Sequence, residues 1–208
     1  MTAAAALAGG VRELALTLPA DAPAKLLAYL ALLEKWNRTF NLTAIRDPLA
    51  MVSQHLLDSL AVLHELPRGA LVDVGAGAGL PGIPIAIAEP DRAVTLNDAS
   101  GKKGAFLRQA IIELKLANAQ VHVGRVERWR PEPLFDIAIC RGFAALADFV
   151  AACRHLISSG GVLAAMKGTY PRDELSRLPS GCDCRDVRRV RVPLLAAERH
   201  LVLCRLSA

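Results

Sequence analysis

Glycines at 75, 77, 79 and 82 follow a short apolar run in Leu71-Val-Asp-Val-Gly-Ala-Gly-Ala-Gly-Leu-Pro-Gly82. Glycine takes positive φ and lets backbone come close to a ligand. A helix starting just beyond would offer free N–H donors and the positive end of its dipole. The chemistry implied is the holding of a nucleotide-like ligand at a strand tip. Two ligand classes compete, beside the plain reading of a tight strand–helix turn that holds nothing. Gly77-x-Gly79-x-x-Gly82 with a later acid at Asp98 fits the dinucleotide fingerprint. Asp73-x-Gly75-x-Gly77-x-Gly79 fits that of S-adenosylmethionine. Asp73 favours the second, because a carboxylate repels a pyrophosphate but suits an amino-acid zwitterion carrying a sulfonium cation. Asp98 ends the next apolar run, where an adenosine ribose would lie, and serves either class.

Further candidates stand at the ends of later apolar runs. Arg141, after residues 136–140, faces the same crevice as the glycine loop if its strand neighbours the first. Val126 and Glu127 follow the third run, where an adenine edge is expected. Lys167 ends the fifth run on the side of Arg141 and is placed to meet a phosphate or a base. His55 and Asp58 stand three apart on one helix face, as a surface pair or a substrate contact. Gln54, His64, His122 and His155 read as structural. Aromatic residues are only 4% of the chain, too few for an extended base-stacking platform, which leaves a single stacked base at Phe143 or Trp36.

These residues need elements to hold them. Residues 1–66 read as helices. Apolar positions 26, 27, 30, 32, 33 and 36 predict a helix over 25–40, with Pro23 near its first turn. Pro48, with Asp47 as N-cap, opens a second helix with apolar positions from 49 to 63. From residue 70, apolar runs at 70–74, 93–96, 120–123, 135–140 and 161–166 alternate with helical stretches at 81–88, 102–116 and 143–157. That alternation predicts an α/β fold: a doubly wound, mostly parallel, Rossmann-like sheet over 67–208 with an N-terminal helical extension over 1–66. Runs at 184–192 and 200–206 predict an antiparallel strand pair at the sheet edge.

Composition sets the outer limits. The 208 residues carry 25 Lys and Arg against 20 Asp and Glu, and 53% are hydrophobic. This favours a single folded unit over disorder. Residues 1–69 hold six basic and six acidic residues, so the net charge of +5 belongs to the remainder. The excess permits a polyanionic partner. The basic run Arg185, Arg188, Arg189 and Arg191 reads first as a solvated face and second as a phosphate contact. No apolar run reaches the length of a membrane span, and the start lacks the pattern of a signal peptide. Five cysteines without a C-x-x-C pair, and with no companion for Cys182-x-Cys184 at zinc spacing, predict reduced thiols in a cytosol and no metal. No apolar stripe demands a dimer, so a monomer is expected.

Several segments then become familiar together. Asn37-Arg-Thr-Phe-Asn41-Leu-Thr-Ala-Ile-Arg46-Asp-Pro48, Gln54-His55-Leu-Leu-Asp58-Ser59-Leu and the glycine loop through Leu80-Pro-Gly82 resemble the bacterial small-subunit ribosomal RNA guanine-N7 methyltransferases, also called glucose-inhibited division protein B. The resemblance continues through Gly101-Lys-Lys103, Arg141-Gly-Phe-Ala144, Lys167-Gly168 and Glu198-Arg-His200. It implies a cytoplasmic class I S-adenosylmethionine-dependent enzyme acting on 16S ribosomal RNA or the small subunit. It implies cofactor contacts at Gly75, Leu80, Val126, Glu127 and Arg141, with Asp73, Gly77, Gly79 and Asp98 beside them. Candidates for RNA contact are Asn41, Arg46, His55, Lys102, Lys103, Arg125, Lys167, Arg199 and His200. Gln54 stands where the family often has a basic residue and Gly142 where it usually has Ala. Gly104 is an unusual choice inside a helix. Guanine N7 carries a lone pair and no proton. The expected catalysis is therefore alignment, with Arg141 and Lys167 as aligning groups and no general acid or base.

Overall fold

The computed structural model describes residues 1–208 except 144, 179, 180, 207 and 208. Helix α1 spans Ala3–Glu13 and starts where Thr2 accepts a hydrogen bond from the Ala5 N–H. Helix α2 spans Ala22–Phe40, with a proline in its first turn, and buries Leu26, Tyr29, Leu30 and Leu33 along one stripe. It ends where Asn41 takes φ +49°, a left-handed residue that Asn tolerates.

Asp47 caps α3 (Pro48–Met51) by accepting from the Ala50 N–H at 2.7 Å. The single helix expected beyond Pro48 is interrupted. A π-helical segment, Val52–Leu57, carries the chain into α4 (Asp58–Leu60), and a 3₁₀ turn follows at Leu63–Glu65. The wider turn inserts a residue into the helical repeat. Hydrophobic periodicity alone did not show it, because every residue from 55 to 63 is buried.

The sheet follows: β1 (Leu71–Val74), α5 (Gly82–Ala88), β2 (Val94–Asp98), α6 (Gly101–Leu114), β3 (Ala119–Val123), β4 (Phe135–Arg141), α7 (Leu146–Cys153), β5 (Ile157–Lys167), α8 (Arg172–Leu175), β6 (Cys182–Arg189) and β7 (His200–Leu206). The strand order is β3-β2-β1-β4-β5-β7-β6. The first five strands pair in parallel, and β7 lies antiparallel between β5 and β6. The expected doubly wound sheet with its antiparallel tail is present.

Side chains alternate between two cores, as strand geometry requires. Leu71, Ile137, Ile139, Val162 and Leu201 face a core shared with α1, α2, α5 and α6. Val72, Val74, Ala138, Leu163 and Val202 face a second core with α7.

Three expectations are corrected here. Strand β5 begins at Ile157, not 161, and Phe135↔Ile157 and Ile137↔Val162 record a bulge that takes up the extra residues. The helix expected over 143–157 is α7 followed by a 3₁₀ turn, Arg154–Leu156. The cysteines are not all reduced: Cys184 and Cys204 form a disulfide, while Cys140, Cys153 and Cys182 are free. Sequence spacing missed this pair because β6–β7 pairing, not a local motif, brings it together. Gly104 also finds its reason, since a Cβ there would collide with Cγ2 of Val123 on β3.

Candidate active site

Strand β1 delivers the glycine loop to the carboxyl edge of the sheet, at the point where strand order reverses between β1 and β4. Ligands bind outside such a switch point. Gly75, Gly77 and Gly79 all have positive φ, at 70°, 59° and 86°. A Cβ on Gly75 would meet no chain atom within 4 Å. Beside it lies a cavity of about 150 Å³ bounded by Leu42, Thr43, His55, Gly75, Ala76, Gly77, Ala78, Leu80 and Arg141. The open cradle fits a ligand held by backbone, which is what the loop was expected to provide.

Asp73 works from beneath the loop. It is fully buried, and its Oδ2 accepts from the Gly82 N–H at 2.7 Å, tying β1 to the start of α5. Its Oδ1 has no hydrogen-bond partner among the described residues. Burial pushes its carboxyl up to about 7. Asp98 accepts from the Gly77 N–H at 3.0 Å and from the Ser100 N–H at 2.8 Å, with Lys103 Nζ 3.4 Å away. Tyr29, fully buried on α2, donates its hydroxyl to the Ala78 carbonyl at 2.6 Å and pins the loop from the other side. Val126 is buried in a 3₁₀ turn after β3, and Glu127 beside it is exposed.

A second cavity, of about 390 Å³, adjoins the first. Its walls include Gln54, His55, Asp58, Arg141, Phe143, Lys167, Gly168 and Arg199. His55 and Arg141 border both spaces. Asp58 is 3% exposed and holds two cations, accepting from Arg199 Nε at 2.8 Å and from an Arg141 guanidinium nitrogen at 3.1 Å. That same Arg141 nitrogen also donates to the Gln54 carbonyl at 2.8 Å. The π-helical segment carries both Gln54 and His55, so the break in the helix shapes this wall. His55 Nε2 lies 2.9 Å from the Thr43 hydroxyl, and desolvation lowers the imidazole to about 4. Lys167 pairs with Glu174 at 2.7 Å, and Glu174 also accepts from the Leu146 N–H.

Not every candidate converges on these spaces. Asn41, Arg46, Lys102 and Arg125 are exposed. His200 is buried, with its ring edge-on to Tyr170. Phe143 borders the larger cavity and packs on Phe149. Trp36 is taken up by Phe40 and Phe106. His122 stacks on Trp129 and meets Asn97, the structural role expected of it. Thr43 and Glu174 were not singled out by the sequence; Thr43 meets His55 twelve residues on, and Glu174 pairs with Lys167 seven residues before it.

A glycine cradle at the switch point of a seven-stranded sheet with this order defines a class I S-adenosylmethionine-dependent methyltransferase. Solved structures share the architecture at low identity. A DhpI–SAH complex matches with TM-score 0.57 and 17% identity over 89% of this chain and 97% of that one. An S-adenosylmethionine-dependent methyltransferase from Aquifex aeolicus matches with TM-score 0.56 and 18% identity over 76% and 93%. Sequence goes further. The GidB family, described as rRNA small subunit methyltransferase G, matches residues 22–202, and the chain belongs to that family. Relatives named ribosomal RNA small subunit methyltransferase G are 52% identical in Methylobacillus flagellatus, over 93% of each chain, and 51% identical in Aromatoleum aromaticum, over 96% of this chain and 97% of the relative.

Proposed function

We propose that this chain transfers the methyl group of S-adenosylmethionine to N7 of one guanine in small-subunit ribosomal RNA, in the cytoplasm and as a monomer. The observation that carries this reading is the pair of adjoining cavities that share Arg141 and His55. The smaller, against the glycines, takes the cofactor; the larger takes the target base. Bound S-adenosylmethionine supplies a methyl group on a sulfonium that is already a good leaving group.

The chain's residues then bind, orient and exclude water. Gly75, Gly77 and Leu80 cradle the amino-acid end, Asp98 receives ribose hydroxyls, and Val126 with Glu127 borders the adenine. Guanine N7 has no proton to lose, so no base is required. His55 is neutral at pH 7 and adds no charge against the cationic product. Asp58 holds Arg141 and Arg199 in the pocket wall, so their guanidiniums orient the cofactor carboxylate or an RNA phosphate instead of facing N7. Lys167, held by Glu174, borders the same pocket at the end of the strand next to that of Arg141. Positioning of this kind supplies rate through geometry. Residues 1–66 serve as an extension of the 67–208 unit, supported by the start of the sheet at Leu71. Support for a monomer is that the large exposed apolar side chains of the described residues, Met1, Phe40, Ile112, Leu134, Tyr170 and Leu194, come from six separate stretches of the sequence.

Gly168 gives a direct test. A Cβ there meets no atom within 4 Å, and the residue borders the larger cavity only. Gly168→Phe is expected to leave S-adenosylhomocysteine affinity within about twofold while methyl transfer to RNA falls by about a hundredfold or more, the scale of a misplaced substrate. Equal loss of both, or loss of neither, contradicts the two-compartment reading.

A further inference from the structure

The tail holds a second reactive cluster, far in sequence from the glycine loop. Strand β6 pairs with β7 at Cys182↔Leu206 and Asp183↔Arg205, then at Asp186↔Leu203. Two residues, Cys184 and Arg185, therefore stand opposite Cys204 alone, which is a bulge. Cys182 and Cys184 share a strand face by period two, and Cys204 is their cross-strand neighbour on that face. The three sulfurs lie within 4.8 Å of one another. Cys184 and Cys204 are joined and almost fully buried, while Cys182 is a free, half-buried thiol with its Sγ 3.3 Å from that of Cys184. A cavity of about 350 Å³, lined by Leu175, Leu178, Gly181, Cys182, Cys184 and Arg185, opens onto this face.

We propose that these three cysteines form a thiol–disulfide exchange site, in which Cys182 passes oxidising equivalents between a low-molecular-weight disulfide and the buried Cys184–Cys204 pair. In the oxidising direction the Cys182 thiolate attacks one sulfur of the small disulfide. A mixed disulfide forms on Cys182 and one small thiolate leaves. The Cys184 thiolate then attacks the Cys182 sulfur, giving a Cys182–Cys184 disulfide and expelling the second small thiolate. Last, the Cys204 thiolate attacks the Cys184 sulfur, forming the Cys184–Cys204 disulfide and returning Cys182 as thiolate. Two protein thiols are oxidised, two small thiols are released, and two electrons move. Reduction runs the same steps backward. Burial raises the Cys182 thiol above its ordinary range, and the charge of Arg154 opposes that rise. Exchange should therefore accelerate toward alkaline pH, since the thiolate is the attacking species.

The test uses the full chain with glutathione and glutathione disulfide as probe, acid quench, alkylation and peptide mapping. Wild type is expected to show the Cys184–Cys204 disulfide after oxidation and a transient glutathione adduct on Cys182. Cys182→Ser should reach the same disulfide at least about tenfold more slowly, having lost its entry thiol. Cys204→Ser should stop at a Cys182–Cys184 disulfide. Absence of the Cys184–Cys204 disulfide in oxidised wild type, a first adduct on Cys184 or Cys204, or equal rates in wild type and Cys182→Ser would each overturn the proposal. The adduct mapping stands on wild type alone and does not depend on a variant folding.

Discussion

Asp73 lies buried beneath the glycine loop and His55 borders the crevice, and burial moves them in opposite directions. Asp73 rises to about 7 from an ordinary 3.8, and His55 falls to about 4 from 6.5. Between about pH 4 and 6.5 the native Asp73 holds a proton that its unfolded form lacks, so its contribution to stability declines as pH rises. Native His55 lacks a proton that its unfolded form holds, so its contribution grows with pH. The two slopes oppose and largely cancel. Asp73→Asn, which keeps an acceptor for the Gly82 N–H, should unmask the His55 slope: stability rising with pH by up to about 1.4 kcal/mol per unit. His55→Gln should show the reverse fall between about pH 4 and 7. Urea unfolding of both variants across that range checks the pair, and pH profiles parallel to wild type in both would contradict the assignment. Asp58→Ala should cost about 2–3 kcal/mol by leaving two guanidiniums without their shared partner, discounted because each is about a quarter exposed. Equilibrium unfolding reads this directly, and a loss under about 0.5 kcal/mol would remove Asp58 as the organiser of the wall. Sequence types alone named Asp73, His55 and Arg141. They did not show that Asp73 acts on the loop from below, or that Asp58 serves two arginines 83 and 141 residues away. Those pairings come from strand order.

At the scale of elements, the loop, its strand and the following helix were legible because glycine spacing and β-type runs are local signals. The π-helical segment was not, because the chain from 55 to 63 is buried throughout and shows no periodic polar face there. Gly104 makes the difference between local and tertiary rules measurable. Helix propensity alone says that Gly104→Ala stabilises α6 by about 1 kcal/mol. Contact with Val123 says the opposite. The expected result is a net loss of about 1 kcal/mol by overpacking, recovered when Val123→Ala is added. Simple additivity of the two substitutions would show that α6 and β3 do not meet there. The β6–β7 disulfide belongs to the same lesson. The strand expected over 184–192 left Cys182 outside it, and only the observed β6 and its register with β7 bring Cys182, Cys184 and Cys204 together.

At the scale of the molecule, the net positive charge of the 70–208 region falls partly on pairs. Lys103 meets Asp98, Lys167 meets Glu174 and Arg188 meets Glu65. Lys102 and Arg125 are exposed and have no ion pair among the described residues. Replacing both with Gln should weaken RNA binding and make the salt dependence shallower by about one to two units of slope. A wild-type slope in that double variant would place the RNA footprint elsewhere. The most direct measurement of the central claim is methyl transfer from labelled S-adenosylmethionine to small ribosomal subunits that lack their own N7-methylguanine, followed by nucleoside analysis of the RNA. The predicted result is label in 7-methylguanosine at a single position. Label in protein, in another nucleoside, or in nothing while S-adenosylmethionine still binds would contradict it.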